Sequence, residues 1–71
     1  MTNQYILVYL NGKPFNCVPH LLLPDLLLYL NIDIDSTIIE YNGEVLQRTL
    51  LYKISLQQGD KLEFLTMVGG G

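Results

Sequence analysis

The sequence predicts a small α+β domain in which one main helix packs on one face of a mixed sheet. Short runs of strand-forming residues alternate with tight-turn signals, one Leu-rich segment has helical periodicity, and the last apolar run is apolar on both of its faces. A sheet must cover its apolar face with a second layer, and the Leu-rich helix supplies that layer. The 71 residues are enough for one domain with a modest core.

A hairpin opens the chain. Residues 5–10 form a continuous apolar run rich in strand formers and predict a buried strand. Asn11-Gly12 is a strong signal for a two-residue turn, and residues 15–18 predict the returning strand, which ends at Pro19. The first two strands are therefore expected to pair with each other.

The Leu-rich segment at residues 21–30 predicts a short helix. Pro24 suits the first turn, where its missing N–H would have no partner in any case, and Asp25 complements the positive end of the helix dipole. Leucines spaced at i, i+3, i+4 and i+7 form one buried stripe. These are Leu23, Leu26, Leu27 and Leu30.

A second hairpin follows a polar loop. The β run Thr37–Tyr41 predicts a third strand, Asn42-Gly43 a tight turn, and residues 44–46 a short returning strand. Residues 47–56 are ambiguous, and we expect an irregular connection that contains a helical turn.

The last strand is predicted at residues 61–68, after a turn in which Gly59 takes a positive φ. Both of its faces carry apolar residues, as expected of a strand in the middle of a sheet. One face consists of Leu62, Phe64, Thr66 and Val68, and the other of Glu63, Leu65 and Met67.

Strand alternation also predicts a docking surface on the face of the sheet away from the helix. If the even-numbered residues of the first strand face the helix, Tyr9 shares the opposite face with Leu65 and Met67. An exposed apolar patch beside the chain end is a reasonable surface for a partner. We therefore predict partner docking at these three residues.

The end of the chain carries the most specific motif. Gly59-Asp60 begins a "GD-x-L-E" turn and strand that runs directly into "V-G-G-G" at residues 68–71. This arrangement resembles the sulfur carriers of thiamine biosynthesis, the ThiS family of ubiquitin-like proteins. Residues 10–13 and 40–44 are also similar to that family, and the resemblance covers essentially the whole chain.

The resemblance implies a β-grasp fold, in which four to five strands form a mixed sheet with one main helix on one face. It implies a domain at residues 1–68 and a flexible glycine tail at residues 69–71. The chain departs from the family in its Leu-rich helix, where a more polar outer face would be expected.

The resemblance also implies a function. An adenylating, E1-like enzyme would use ATP to activate the carboxylate of Gly71, and a sulfurtransferase would supply persulfide sulfur to form a thiocarboxylate. Thiazole synthase would then accept the sulfur for the thiazole ring of thiamine. Gly69 and Gly70 would give the thin, extended tail access to a narrow active site, because glycine has no side chain. The protein would be a co-substrate with no bound cofactor, and not an enzyme.

Three alternatives remain open. The chain could carry sulfur for molybdenum cofactor or another thiolated product, or it could be a ubiquitin-like modifier joined to lysines. It could also be an interaction module with an inert tail, since a terminal glycine run taken alone favours simple disorder.

Composition and single residues disfavour other functions. The net charge is −3 and the four basic residues are scattered, which disfavours nucleic acid as a partner. No membrane span or targeting segment is evident, which fits a bacterial cytoplasm or a protein made inside a plastid. Cys17 is interpreted as a small buried hydrophobe, His20 as a loop residue, and Asp33 and Asp35 as solvated loop carboxylates with no metal site.

Overall fold

A computed structural model of the chain describes residues 4–66. It confirms the predicted architecture, a mixed five-stranded sheet with one main helix. The strands are β1 (Ile6–Leu10), β2 (Lys13–Cys17), β3 (Thr37–Tyr41), β4 (Glu44–Val45) and β5 (Lys61–Thr66), and the helices are α1 (Leu23–Tyr29) and α2 (Arg48–Leu51), with one 3₁₀ turn at Ile34–Ser36.

The sheet order is β2-β1-β5-β3-β4, so the last strand of the chain lies in the middle, as predicted. The pair β1–β5 is parallel, whereas β1–β2, β3–β4 and β3–β5 are antiparallel. Two hairpins thus enclose β5, one on each side. The strand that leads to the glycine tail is therefore the central strand of the sheet.

The core lies between α1 and one face of the sheet. Three leucines of α1 are buried in it at the predicted helical spacing, against Val8 of β1 and Leu62 of β5. Burying one such side chain stabilises a fold by about 1.5–3 kcal/mol. The buried apolar set is Val8, Cys17, Leu23, Leu26, Leu27, Ile39, Leu51, Leu56 and Leu62.

The main helix is shorter than the predicted residues 21–30. The first residues of the predicted segment pair instead with residues 54–56. The N–H of Leu23 donates to the carbonyl of Ile54, and the N–H of Leu56 donates to the carbonyl of Leu21. Pro24 lies in the first turn as predicted, and Asn31 with φ 60° follows the last turn. The helix therefore begins only where the chain leaves this side-by-side contact.

Strand β2 begins earlier and ends earlier than predicted. The two-residue turn brings Lys13 directly opposite Leu10, so pairing starts at once after the turn. At the other end, the carbonyl of Val18 accepts from the N–H of Leu21 and turns the chain toward the helix.

The outer face of α1 is apolar, as the sequence indicated. Leu28 is 80% exposed and Tyr29 is 75% exposed. The apolar surface of this helix therefore extends well beyond the stripe that the core requires.

Candidate functional site

The site that the resemblance predicts lies at the end of the chain. Gly69, Gly70 and Gly71 lie outside the described residues, as does Met67, so their roles remain predictions. The flexible tail predicted for residues 69–71 is likewise untested. The described part of the site consists of β5, the strand that leads to the tail, and the hydrogen bonds that fix this strand.

Two asparagines hold β5, one from each hairpin. Asn11 and Asn42 have φ values of 50° and 52°, and the glycine after each also has a positive φ, as tight hairpin turns require. The side-chain oxygen of Asn11 accepts from the N–H of Phe64 at 2.7 Å. That of Asn42 accepts from the N–H of Lys61 at 2.8 Å. Each turn thus fixes a point on β5 as well as reversing its own chain.

The sequence predicts only turns at these two segments. The signal for a second role is weak, because an Asn-Gly pair is sufficient for the turn and says nothing about a distant partner. Asn11 and Phe64 are 53 positions apart in the chain. Their contact follows only from the placement of β5 beside β1.

Asp60 is the buried charged group among the described residues, with 8% exposure, and it lies directly before β5. Its carboxylate accepts three hydrogen bonds: from the hydroxyl of Tyr41 at 2.6 Å, the side-chain amide of Asn42 at 3.2 Å and the backbone N–H of Gln57 at 2.9 Å. A buried carboxylate with its oxygens occupied in this way holds structure together.

Burial of the Tyr41 hydroxyl, together with its hydrogen bond to Asp60 and the negative charge there, raises the pKa of Tyr41 to about 12. The phenol therefore keeps its proton over the physiological range and remains a donor. The sequence indicates Asp60 only as part of the terminal motif. Its network joins the second hairpin to the turn that precedes β5.

The turn before β5 is tied to β1. Gly59 has φ 86°, as predicted, and its N–H donates to the carbonyl of Leu7 at 2.8 Å. The N–H of Leu7 donates in turn to the side chain of Gln58 at 3.0 Å, and the N–H of Tyr9 donates to the carbonyl of Asp60 at 2.9 Å. These bonds set the parallel register of β1 and β5.

The structure brings two of the three predicted docking residues to the open face of the sheet. Tyr9 lies opposite Lys61, and Leu65 lies opposite Ile38 of β3. Leu65 is 48% exposed, Ile38 is 36% exposed, and Tyr9 is partly buried. Their role in docking remains a prediction.

The same face carries a pair of like charges that the sequence does not predict. Glu40 of β3 and Glu63 of β5 lie directly opposite each other. Like charges in this arrangement destabilise a sheet. Only the register reveals the pair, since the two residues belong to different segments of the sequence.

Three further residues with reactive or metal-binding side chains are Cys17, Asp33 and His20. Cys17 is buried, and burial followed by the charge of Asp60 raises the pKa of its thiol, which disfavours the reactive thiolate. Asp33 accepts hydrogen bonds from the backbone of Asp35 and the hydroxyl of Ser36, so it stabilises its own turn. His20 is an exposed residue with φ 64°.

Within residues 4–66, no group of three or more His, Cys, Asp or Glu side chains is arranged to hold a metal ion. No helix in this part of the chain is both long and apolar enough to cross a membrane.

Known proteins resemble this chain along nearly all of its length. The model of the ThiS family matches residues 8–71. The crystal structure of the thiamine biosynthesis protein ThiS from Geobacter metallireducens superposes with a TM-score of 0.80 and 33% identity, covering 93% of this chain and 100% of that one.

Three relatives share the name ycf40. Those from Porphyra purpurea and Pyropia yezoensis are each 39% identical over 71 residues, which is the full length of both chains compared. That from Trieres chinensis is 32% identical over 63 residues, covering 89% of this chain and 86% of that one. The five-stranded fold, the turn into a central last strand and the family match agree. The chain therefore belongs to the ThiS family, the small ubiquitin-like sulfur carrier proteins of thiamine biosynthesis.

Proposed function

We propose that this protein carries sulfur as a thiocarboxylate at Gly71 and donates it for thiazole formation. The observation that supports this proposal is the central strand β5, which both hairpins hold and which runs toward the terminal glycines. A strand fixed in this way is a firm base for a tail that must enter another protein. Membership of the ThiS family supports the same chemistry.

The chemistry explains why a glycine end is useful. A carboxylate is a poor electrophile, so ATP must first convert it to an acyl-adenylate with release of pyrophosphate. A persulfide then attacks the carbonyl carbon and expels AMP, and a thiol cleaves the resulting S–S bond to leave the thiocarboxylate and a disulfide. The site must align the reactants and exclude water, so the entering chain must be thin. Gly69 and Gly70 meet that need.

The proposed partners follow from these steps. An adenylating, E1-like enzyme supplies the ATP site, a sulfurtransferase supplies the persulfide, and thiazole synthase accepts the sulfur. The chain itself is a co-substrate and binds no cofactor. In residues 4–66 the lone cysteine is buried, which supports a passive role for the folded domain.

The open face of the sheet is the proposed docking surface for the adenylating enzyme. Leu65 and Ile38 form an exposed apolar pair there, and Tyr9 lies on the same face. The proposed surface includes Met67, which comes two residues after Leu65 in the sequence. An exposed apolar patch close to the tail would orient the chain so that its end enters the active site. The double variant Leu65→Asp and Met67→Asp should abolish adenylation while a variant at Leu28, on the exposed face of α1, should not.

Intact mass measurement tests the proposed function. The chain is incubated with the adenylating enzyme, ATP and a persulfide donor, and a sample without ATP is the control. Replacement of one oxygen by sulfur is the expected result. Adducts on lysines would instead identify a protein modifier, and an unchanged mass with an enzyme active on another carrier would identify an inert module. Thiazole formation on addition of thiazole synthase would exclude molybdenum cofactor as the destination of the sulfur.

We also propose the plastid stroma as the compartment. The ycf40 relatives come from red algae and a diatom, in which this name denotes genes of the plastid genome. Detection of the protein in purified plastids is the expected result, and its confinement to the cytosol would contradict the assignment.

A further inference from the structure

The two edges of β5 are covered to different lengths. On one side, β3 pairs with β5 from Leu62 through Thr66. On the other side, β1 pairs only with Lys61 and Leu62, because β1 ends at Leu10 and the chain turns away. The last part of β5 therefore has one covered edge and one open edge.

Hydrogen bonds identify which backbone groups point to the open edge. The N–H of Asn11 donates to the carbonyl of Leu62, and the N–H of Phe64 donates to the side chain of Asn11. The backbone N–H and C=O groups of the even-numbered residues of β5 therefore point toward β1. The next groups along that edge are the carbonyl of Phe64 and the N–H of Thr66. Neither has a hydrogen-bond partner among residues 4–66.

The other sheet edges in this part of the chain are poorly suited to accept a strand. In β2, Pro14 lies opposite Tyr9 of β1. The N–H of Tyr9 points away from β2, toward the carbonyl of Asp60, so the backbone of Pro14 points to the outer edge of the sheet. Proline has no N–H to donate there. Proline at such a position protects an edge against pairing. Strand β4 has only two residues. Within Lys61–Thr66, the open edge of β5 carries no proline, and its two free backbone groups have no partner among residues 4–66.

We propose that an extended segment of the adenylating enzyme adds to this open edge as a further strand, in the place where β1 would continue. The inference rests on the proposed function. The backbone carbonyl of Phe64 and the N–H of Thr66 are the groups that pair with the added strand. The added strand begins after Asn11, because the side chain of Asn11 accepts from the N–H of Phe64 and leaves the N–H of Thr66 free.

The chemistry of the tail explains why the partner is an extended backbone. Glycines offer no side chains for recognition, so an enzyme that binds them specifically must use their N–H and C=O groups. Strand addition supplies such bonds at regular spacing. A ladder on the fixed strand β5 also sets the register of the partner segment against this chain.

The open face beside this edge leaves room for the incoming segment. A depression of about 410 Å³ lies between the first hairpin turn and β5, lined by Tyr9, Gly12, Lys61, Leu62 and Glu63. Side chains of the added strand that point to the open face would enter it.

The variant Thr66→Pro tests the inference. It removes one N–H from the open edge and leaves the β3 ladder intact, because the N–H of Thr66 does not face β3. The control Thr66→Val keeps the N–H and a similar volume. With the purified enzyme that modifies the wild-type chain, Thr66→Pro is expected to bind about tenfold more weakly, and Thr66→Val within about twofold of wild type. Equal binding of all three chains would overturn the inference.

Amide hydrogen exchange gives a second readout that needs no variant. The N–H of Thr66 is expected to exchange freely in the isolated protein and to become protected in the complex with the adenylating enzyme. No added protection at Thr66 would overturn strand addition even if thiocarboxylate forms normally. The two ideas fail separately: a wild-type chain that is never thiocarboxylated contradicts the proposed function, and a modified chain with an unprotected Thr66 contradicts this inference.

Discussion

The two hairpins that enclose β5 use the same turn for different purposes. Each has an Asn-Gly turn, and each asparagine accepts a hydrogen bond from β5. Asn42 belongs to a part-buried network with Asp60 and Tyr41, whereas Asn11 makes one exposed contact with Phe64. The difference indicates that the second hairpin anchors the start of β5, and that the first determines where β5 becomes open to a partner.

Removal of the Asp60 carboxylate should have the largest effect on this anchor. Asp60→Ala leaves the donors of Tyr41, Asn42 and Gln57 without their acceptor, and the expected loss in unfolding free energy is about 3 kcal/mol. Urea denaturation measures it. Asp60→Asn is the control, because it keeps the shape and should lose less. A loss below about 1 kcal/mol for the alanine variant would show that the network does not anchor β5.

The two asparagines should differ when each is changed. Asn42→Ala loses two side-chain hydrogen bonds and should cost about 2 kcal/mol, whereas Asn11→Ala loses one and should cost about 1 kcal/mol.

Aspartate sharpens this comparison, because it keeps an acceptor oxygen and tolerates a positive φ. Asn11→Asp should be tolerated, whereas Asn42→Asp places a second carboxylate beside Asp60 and should destabilise the fold. Thermal unfolding of the four variants measures the difference. Equal costs at the two positions would remove the distinction between the hairpins.

Tyr41 of the second hairpin should also add a pH dependence to the stability of the fold. The pKa of Tyr41 is raised from 10.0 to about 12 in the folded protein, so the folded state holds this proton more tightly than the unfolded state. Its stabilising effect is therefore complete below pH 10 and is lost as the pH rises toward 12. Denaturation across this range should show a decline that Tyr41→Phe reduces. An unchanged slope in that variant would assign the decline to other groups.

The smallest effect is expected on the open face. Glu63→Gln relieves the repulsion with Glu40 across β3 and β5, and it should stabilise the fold by about 0.3 kcal/mol at low salt. The gain should shrink as salt screens the charges. A gain that persists at high salt would point to a cause other than repulsion.

Local patterns in the sequence were sufficient for much of this fold. The two Asn-Gly turns, the stripe of Leu23, Leu26 and Leu27, and the central place of β5 all follow from periodicity and turn chemistry. The contacts that hold β5 do not. They depend on the register between distant segments, and nothing in the neighbourhood of Asn11 indicates Phe64.

The candidate site also has features that the sequence predicts and features that depend on strand register. The sequence placed Tyr9 and Leu65 on one face by alternation alone. It could not place Glu40 opposite Glu63, because a shift of one residue in register would separate them. The roles proposed for the terminal glycines come from the motif and the family.

Tandem mass spectrometry of the C-terminal peptide tests the central claim most directly. After incubation with the adenylating enzyme, ATP and a persulfide donor, the sulfur should be found at the carboxyl group of Gly71, and thiazole synthase should remove it as thiazole forms. Sulfur at Cys17, or an unmodified Gly71 with an enzyme that is active on another carrier, would contradict the account.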